Sequence, residues 1–251
     1  MSVDVNREGD VLVATLNRPD KKNALTGAMY RALTVALSTA HGEPGIGAVV
    51  VTGAGGAFCA GNDIGDFLAE NARASEGART GPGGEFIRTL ARFDKPIVAA
   101  VEGAAVGVGT TMVLHCDLVY AAPSARFAMP FVNLGLVPEA GASLLVPRRF
   151  GTAVATEMLM LGEAIDAARA REIGLVNDVV PAEGLLAHAL SKAKALAAKP
   201  RAALLATRKL MRGDADALYA HMEVELEAFA MALKSSEARA AFEAFAGRAR
   251  G

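Results

Sequence analysis

Two short, unbroken apolar runs constrain what this chain can fold into more than anything else in it: Ala48-Val49-Val50-Val51-Thr52 and Pro96-Ile97-Val98-Ala99-Ala100-Val101. A strand with one face in water alternates apolar and polar residues, so a run without alternation belongs in a sheet covered on both faces. Each run gives way to a turn rich in glycine and alanine that leads into a helix. The first is Gly53-Ala54-Gly55-Gly56, continuing to Ile64; the second is Gly103 to Gly109. A third run, Leu118-Val119-Tyr120-Ala121, follows a short helical stretch. Strands alternating with helices predict a mostly parallel α/β core.

Around that core the punctuation is clear. Val3-Asp4-Val5 and Val11 to Leu16 alternate about Glu8-Gly9-Asp10, the pattern of a β-hairpin. Asn17 to Asn23 is a polar loop, after which Thr26 caps a helix with Met29, Leu33 and Leu37 on its apolar face. Residues 71–83 offer no apolar face and predict a mobile surface loop. From about Thr152 helical patterns dominate: Thr152 to Leu161, Ala167 to Ile173, Glu183 to Ala198, Ala203 to Met211, and Asp214 to Phe245 in pieces. One short strand, Leu175 to Val180, interrupts them. The reading is an N-terminal α/β core over residues 1–195 and a C-terminal helical region over 196–251, without internal repeats.

Composition excludes several classes of function. Of 251 residues 52% are apolar and 21% charged, the profile of a soluble globular protein. The 26 basic and 27 acidic residues leave a net charge of -1, which gives no electrostatic reason for a nucleic-acid partner. No apolar run approaches the roughly 18 residues of a membrane span. Two cysteines cannot build a disulfide framework, and Met1-Ser2-Val3-Asp4 carries no targeting pattern, so a cytoplasmic location is expected.

Some motifs suggest chemistry that their context does not support. Gly107-Val108-Gly109-Thr110-Thr111-Met112 follows a strand and opens a helix, but it lacks the third glycine and the later acid of a dinucleotide site. The histidines at 41, 115, 188 and 221 show no metal-ligand spacing, and His115 reads as a satisfied structural residue. Cys59 has no nearby histidine to make it a thiolate and reads as a small apolar filler. No metal and no cofactor is expected.

The two glycine-rich turns share one construction, and strand-to-helix turns present free backbone N–H groups. Facing one cleft, two such amides could hold one oxygen as an oxyanion hole. The motifs themselves go further. Asn17-Arg18-Pro19, Asn23-Ala24-Leu25, Ala57 to Ile64, Lys95 to Gly103, Cys116 to Ala121 and Ala167 to Val180 together resemble the enoyl-CoA hydratase/isomerase (crotonase) superfamily, nearly end to end. The resemblance implies an α/β fold, the crotonase (ClpP-like) spiral of ββα units, with C-terminal helices that build a trimer, often paired into a hexamer. It implies an acyl-CoA ligand, so coenzyme A arrives with the substrate. By matched positions the oxyanion hole would use the backbone N–H groups of Asn62 and Val108, the latter bulkier than the family's usual glycine. Lys21, Lys22, Ala24, Ala60, Asp63 and Ile64 match the segments that hold the CoA, and Phe131 and Leu134 are expected to line the substrate site as part of an apolar pocket with Leu136 and Val137 that raises the Glu139 carboxyl. Taken alone, the two lysines would read as solvated loop charges.

The same resemblance bears on the reaction. The family's hydratases use two glutamates, and the matching positions here are Thr111 and Phe131, neither of which can act as a base. One acid remains, Glu139 in Val137-Pro138-Glu139-Ala140-Gly141, a stretch that resembles the family's Δ3,Δ2-enoyl-CoA isomerases. A single acid there could take a proton from C2 and return it at C4. The competing structural reading makes Glu139 a cap for the helix starting near Ala140. The alternatives to a double-bond isomerase are an enoyl-CoA hydratase, an isomerase of ring-containing CoA thioesters, and an acyl-CoA-binding homologue without turnover.

Overall fold

The computed structural model describes residues 3–73 and 81–248. The chain opens with β1 (Val3–Glu8) and β2 (Val11–Leu16), an antiparallel hairpin whose turn uses Gly9 at φ 65°. A 3-10 turn at Pro19–Lys21 leads to α1 (Gly27–Gly42), where the Thr26 hydroxyl accepts from the Met29 N–H. Then come β3 (Ala48–Gly53), α2 (Ile64–Arg73), α3 (Pro82–Arg92), β4 (Ile97–Val101), β5 (Ala104–Val106) and α4 (Val108–Val113). They are followed by β6 (Leu118–Ala121), β7 (Arg126–Ala128), α5 (Ala142–Phe150), α6 (Thr152–Ala155), β8 (Ile165–Asp166) and α7 (Ala167–Glu172). The last elements are β9 (Asp178–Val179), α8 (Ala182–Ala197), α9 (Arg201–Arg212), α10 (Ala215–Leu233) and α11 (Ser236–Arg248).

The main sheet has the order β1-β2-β3-β4-β6-β9 and is parallel from β2 onward. Successive side chains in a strand point to opposite faces, which explains the unbroken apolar runs. Val49, Val51, Ile97, Ala99 and Val101 pack on one side with Leu33, Leu37 and Leu90 from α1 and α3. Val50, Val98 and Ala100 pack on the other with Leu185, Ala189 and Ala193 of α8. A second, three-stranded sheet (β5-β7-β8) stands beside the first and positions the second glycine-rich turn. Among the described residues no helix is long and apolar enough to cross a membrane.

The structure departs from the sequence reading at four places. Residues 71–73 end α2 and residues 82–83 begin α3, whose Pro82 suits a first helical turn, so the loop assigned to 71–83 is shorter. Its middle, 74–80, lies outside the described residues. Of the strand assigned to 175–180, residues 177–180 bond to β6, with Asp178–Val179 in register. Leu175 and Val176 instead donate their N–H groups to the Ala170 carbonyl, closing α7 around Gly174 at φ 82°. Part of the second glycine-rich turn is strand β5, and the helix assigned to 152–161 widens into a π turn at Thr156–Met160.

Candidate active site

The first polar loop is stitched to the first glycine-rich turn by one buried side chain. Asn23 accepts from the Arg18 N–H at 2.7 Å and donates to the carbonyls of Ala54 (2.9 Å) and Ala57 (2.6 Å). Lys22 and Asn23 both take positive φ here, at 46° and 58°. Asparagine tolerates that region better than most residues because its short side chain bonds locally. The Ala60 N–H then donates to the Lys22 carbonyl, and the Leu25 N–H to the Gly61 carbonyl.

That last pairing frees an amide. Leu25 and Asn62 form an isolated parallel bridge made by Leu25 N–H to Gly61 and Asp63 N–H to the Leu25 carbonyl. A parallel bridge of this pattern turns the middle residue's own N–H away, and that of Asn62 has no hydrogen-bond partner among the described residues. The second turn is locked to the first in the same manner: Cys59 N–H donates to Ala104, and Val106 N–H to Cys59, both at 2.8 Å. Gly109 lies so close that a Cβ there would stand 2.5 Å from the Cys59 carbonyl oxygen. Val108 is the first residue of α4, preceded by Gly107 at φ 55°, and its N–H also lacks a partner among the described residues. The turns thus lie side by side, and the Asn62 and Val108 amides, one on each, have no partner among the described residues.

From the next turn of α4 the Thr111 hydroxyl donates to Glu139 Oε1. Glu139 Oε2 has no hydrogen-bond partner among the described residues. The carboxyl is buried, and burial pushes it up to about 7; the Thr111 hydrogen bond opposes that rise and the Glu225 charge adds to it. Tyr30 of α1 feels the Glu139 charge and donates its phenol proton to Asn62 Oδ1. Phe131 packs edge-on to Phe229 of α10 at 6.5 Å, and Phe229 packs on Phe67 of α2 at 6.2 Å.

The Glu139 turn is strained and held from both sides. Ala140 and Gly141 take φ 58° and 77°, the first costing about 1–2 kcal/mol for a residue with a Cβ. His115 Nε2 lies 2.7 Å from the Ala140 carbonyl. Burial pushes His115 down to about 4, so the neutral ring donates there. On the other side Glu225 accepts from the Gly141 N–H (2.5 Å) and the Ser143 N–H (2.9 Å). The capping alternative for Glu139 is therefore corrected: Gly141 occupies the cap position of α5, and Glu225 bonds its free amides.

Comparison with known proteins names the fold these loops belong to. A family model for enoyl-CoA hydratase/isomerase matches residues 6–250. The chain belongs to the enoyl-CoA hydratase/isomerase family. It is 35% identical to the 2,3-dehydroadipyl-CoA hydratase of Escherichia coli (strain K12), over 96% of this chain and 94% of that one. It is 36% identical to enoyl-CoA delta isomerase 2 of Rattus norvegicus, over 88% of this chain and 57% of that one. The crystal structure of an enoyl-CoA hydratase/isomerase from Pseudoalteromonas atlantica T6c superposes with a TM-score of 0.92 at 38% identity, covering 99% and 98% of the two chains. The fold is the crotonase fold of that family, and the chain is an enzyme of it.

For this family member the sequence-derived residues fall into two groups. Lys21, Lys22, Ala24, Ala60, Asp63 and Ile64 share the stitched pair of loops, with both lysines exposed. The Asp63 side chain ties the first polar loop to the start of α2. Its carboxylate pairs with Arg18 at 2.8 Å and accepts from the Asp66 N–H at the start of α2. Burial tends to raise it, but the Asp66 N–H and Arg18 outweigh burial and hold it below its ordinary value. Phe131 is buried and Leu134 half-buried on the 3-10 turn leading to Glu139.

Tyr30 and Glu225 are the residues sequence reasoning missed. Tyr30 was hidden because a tyrosine beside Met29 on the buried face of a helix looks like ordinary core. Glu225 sits 86 positions after Glu139, among several helical acids, and no spacing rule joins the two.

Proposed function

We propose that this enzyme shifts a carbon–carbon double bond in an acyl-CoA, converting a 3-enoyl to a 2-enoyl thioester with Glu139 as the proton shuttle. The carrying observation is a buried carboxylate, that of Glu139, bonded to Thr111, the position where the family's hydratases place a second acid. Glu139 Oε2, free of protein partners, takes a proton from C2. The thioester oxygen, now enolate, is held by the N–H groups of Asn62 and Val108, and the same oxygen of Glu139 delivers the proton at C4. One group performs both transfers, and no water enters the reaction. A carboxyl raised to about 7 suits both roles, because general acid–base catalysis is most efficient near the working pH. Lys21 and Lys22, mobile point charges at the rim, would meet the CoA phosphates.

Enoyl-CoA hydration is the second reading, favoured by the hydratase relative that spans nearly the whole chain. It requires a carboxylate to activate water on the β-carbon, and Phe131 and Thr111 supply none. A homotrimer, single or paired, goes with either reading; Leu210, Met211, Val224 and Met231 are large apolar side chains exposed on α9 and α10.

Glu139→Gln tests the proposal against a purely binding homologue. Turnover of 3-hexenoyl-CoA should fall about 100- to 10,000-fold while affinity for a non-reactive thioether analogue stays within about twofold. Wild-type turnover in that variant removes Glu139 from the mechanism.

A further inference from the structure

Glu225 is an acid that the double-bond shift does not use, yet it is buried within the site's wall. It stands on α10 and reaches across to the start of α5, where Oε2 accepts from Gly141 N–H and Oε1 from both the N–H and the hydroxyl of Ser143, at 2.5, 2.9 and 2.5 Å. Three donors converging on two oxygens define a carboxylate acting only as acceptor. The Ser143 hydroxyl gives its proton to Glu225, so the His221 Nε2–H, 2.8 Å away, donates to Ser143 in turn. That order leaves Ser143 no base to activate it and makes the trio a clamp rather than a nucleophile.

What the clamp holds is the turn carrying Glu139. A Cβ on Gly141 would stand 2.6 Å from Leu218 of α10, so the helix packs directly on this turn. α10 is itself fixed to α3, where Arg88 makes two hydrogen bonds to Glu223 at 2.6 and 2.8 Å. The left-handed Ala140 and Gly141 relax once their partners are gone, and then the Glu139 side chain loses its aim.

We propose that Glu225 is a positioning residue for the reaction: from α10 it fixes the 139–141 turn and, when ionised, places a negative charge near the Glu139 carboxyl. Burial works against that ionisation, and the three hydrogen bonds from Ser143 and Gly141, with His221 nearby, support it. The other titratable groups around Glu139 are Tyr30 from α1 and Cys59 from the first turn, with His115 behind Ala140. Burial holds Cys59 up to about 12 and Tyr30 well above its usual value, while His115 is pushed down to about 4. All three are neutral near pH 7. Glu225 therefore supports the protonated form of Glu139, and removing its charge favours the ionised form.

The inference rests on Glu139 as acid and base, so Glu139→Gln is the control. The measurement is kcat and KM for 3-hexenoyl-CoA across the acid limb of the pH profile. Glu225→Gln keeps an acceptor but no charge; it should lower kcat about tenfold with KM within about twofold, and move the limb to lower pH. Glu225→Asp keeps the charge but withdraws it by one methylene; it should lower kcat and leave the limb in place. A wild-type limb in Glu225→Gln, or loss of thermal stability alone, overturns the inference. Should the glutamine variant not fold, a wild-type kcat in Glu225→Asp overturns it instead. Full activity in Glu139→Gln would sink the parent reading, whereas an inactive Glu139→Gln beside wild-type Glu225 variants sinks only this one.

Discussion

Glu139 has one oxygen tied to the Thr111 hydroxyl and the other without a partner among the described residues, so on the proposed mechanism its two oxygens do different work. Thr111 donates to the ionised form, which holds the carboxyl lower than burial alone would. Thr111→Val should therefore move the acid limb of kcat to higher pH. On the proposed mechanism, wild-type activity should fall as pH drops through about 7, because a protonated Glu139 cannot take the C2 proton. A limb that moves down in Thr111→Val, measured by initial rates on a 3-enoyl-CoA, contradicts this assignment. Tyr30→Phe removes the hydrogen bond to Asn62, which sits on the turn proposed to bind the thioester oxygen. A hydrogen bond of about 1 kcal/mol gives roughly a three- to tenfold loss in kcat, with little change in melting temperature. At this scale motif order singled out Glu139, Asn62 and Val108 as candidates, and the structure lays the Asn62 and Val108 turns side by side. The sequence was opaque for Tyr30 and Glu225, whose roles depend on a helix crossing the site from elsewhere in the chain.

The two glycine-rich turns work as a pair because their backbones touch. Cys59 and Ala105 form a parallel bridge, and Gly109 lies against the Cys59 carbonyl. Gly109→Ala puts a methyl 2.5 Å from that oxygen, which is backbone and cannot rotate away. The variant should lose about 1–3 kcal/mol of stability and most of its turnover, since the unpaired amides of both turns shift together. A Gly109→Ala protein with wild-type kcat and denaturation midpoint speaks against this coupling. The strands and helix α1 could be read beforehand, since burial on both faces leaves an unbroken apolar run and Thr26 marks a helix start. Short elements could not. β5, β7 and β8 have two or three residues each, too few for a period of two to show, and they exist because neighbouring turns supply their partners.

Across the whole molecule the site sets a pH dependence of stability. Glu139 binds its proton more tightly folded than unfolded, so its contribution is most favourable below its ordinary value of 4.5 and is lost as pH rises toward about 7. The difference is at most about 3 kcal/mol. Glu139→Gln should consequently melt above the wild type at alkaline pH, a gap that closes in acid; an equal gap at both extremes contradicts the linkage. The central claim concerns chemistry, and one paired assay addresses it. Purified enzyme is given 3-hexenoyl-CoA and crotonyl-CoA separately, and absorbance of the conjugated thioester is followed. Absorbance that grows with the 3-enoyl substrate and scarcely changes with crotonyl-CoA is the predicted result. Rapid loss of the conjugated signal from crotonyl-CoA, with 3-hexenoyl-CoA untouched, contradicts the single-acid double-bond shift.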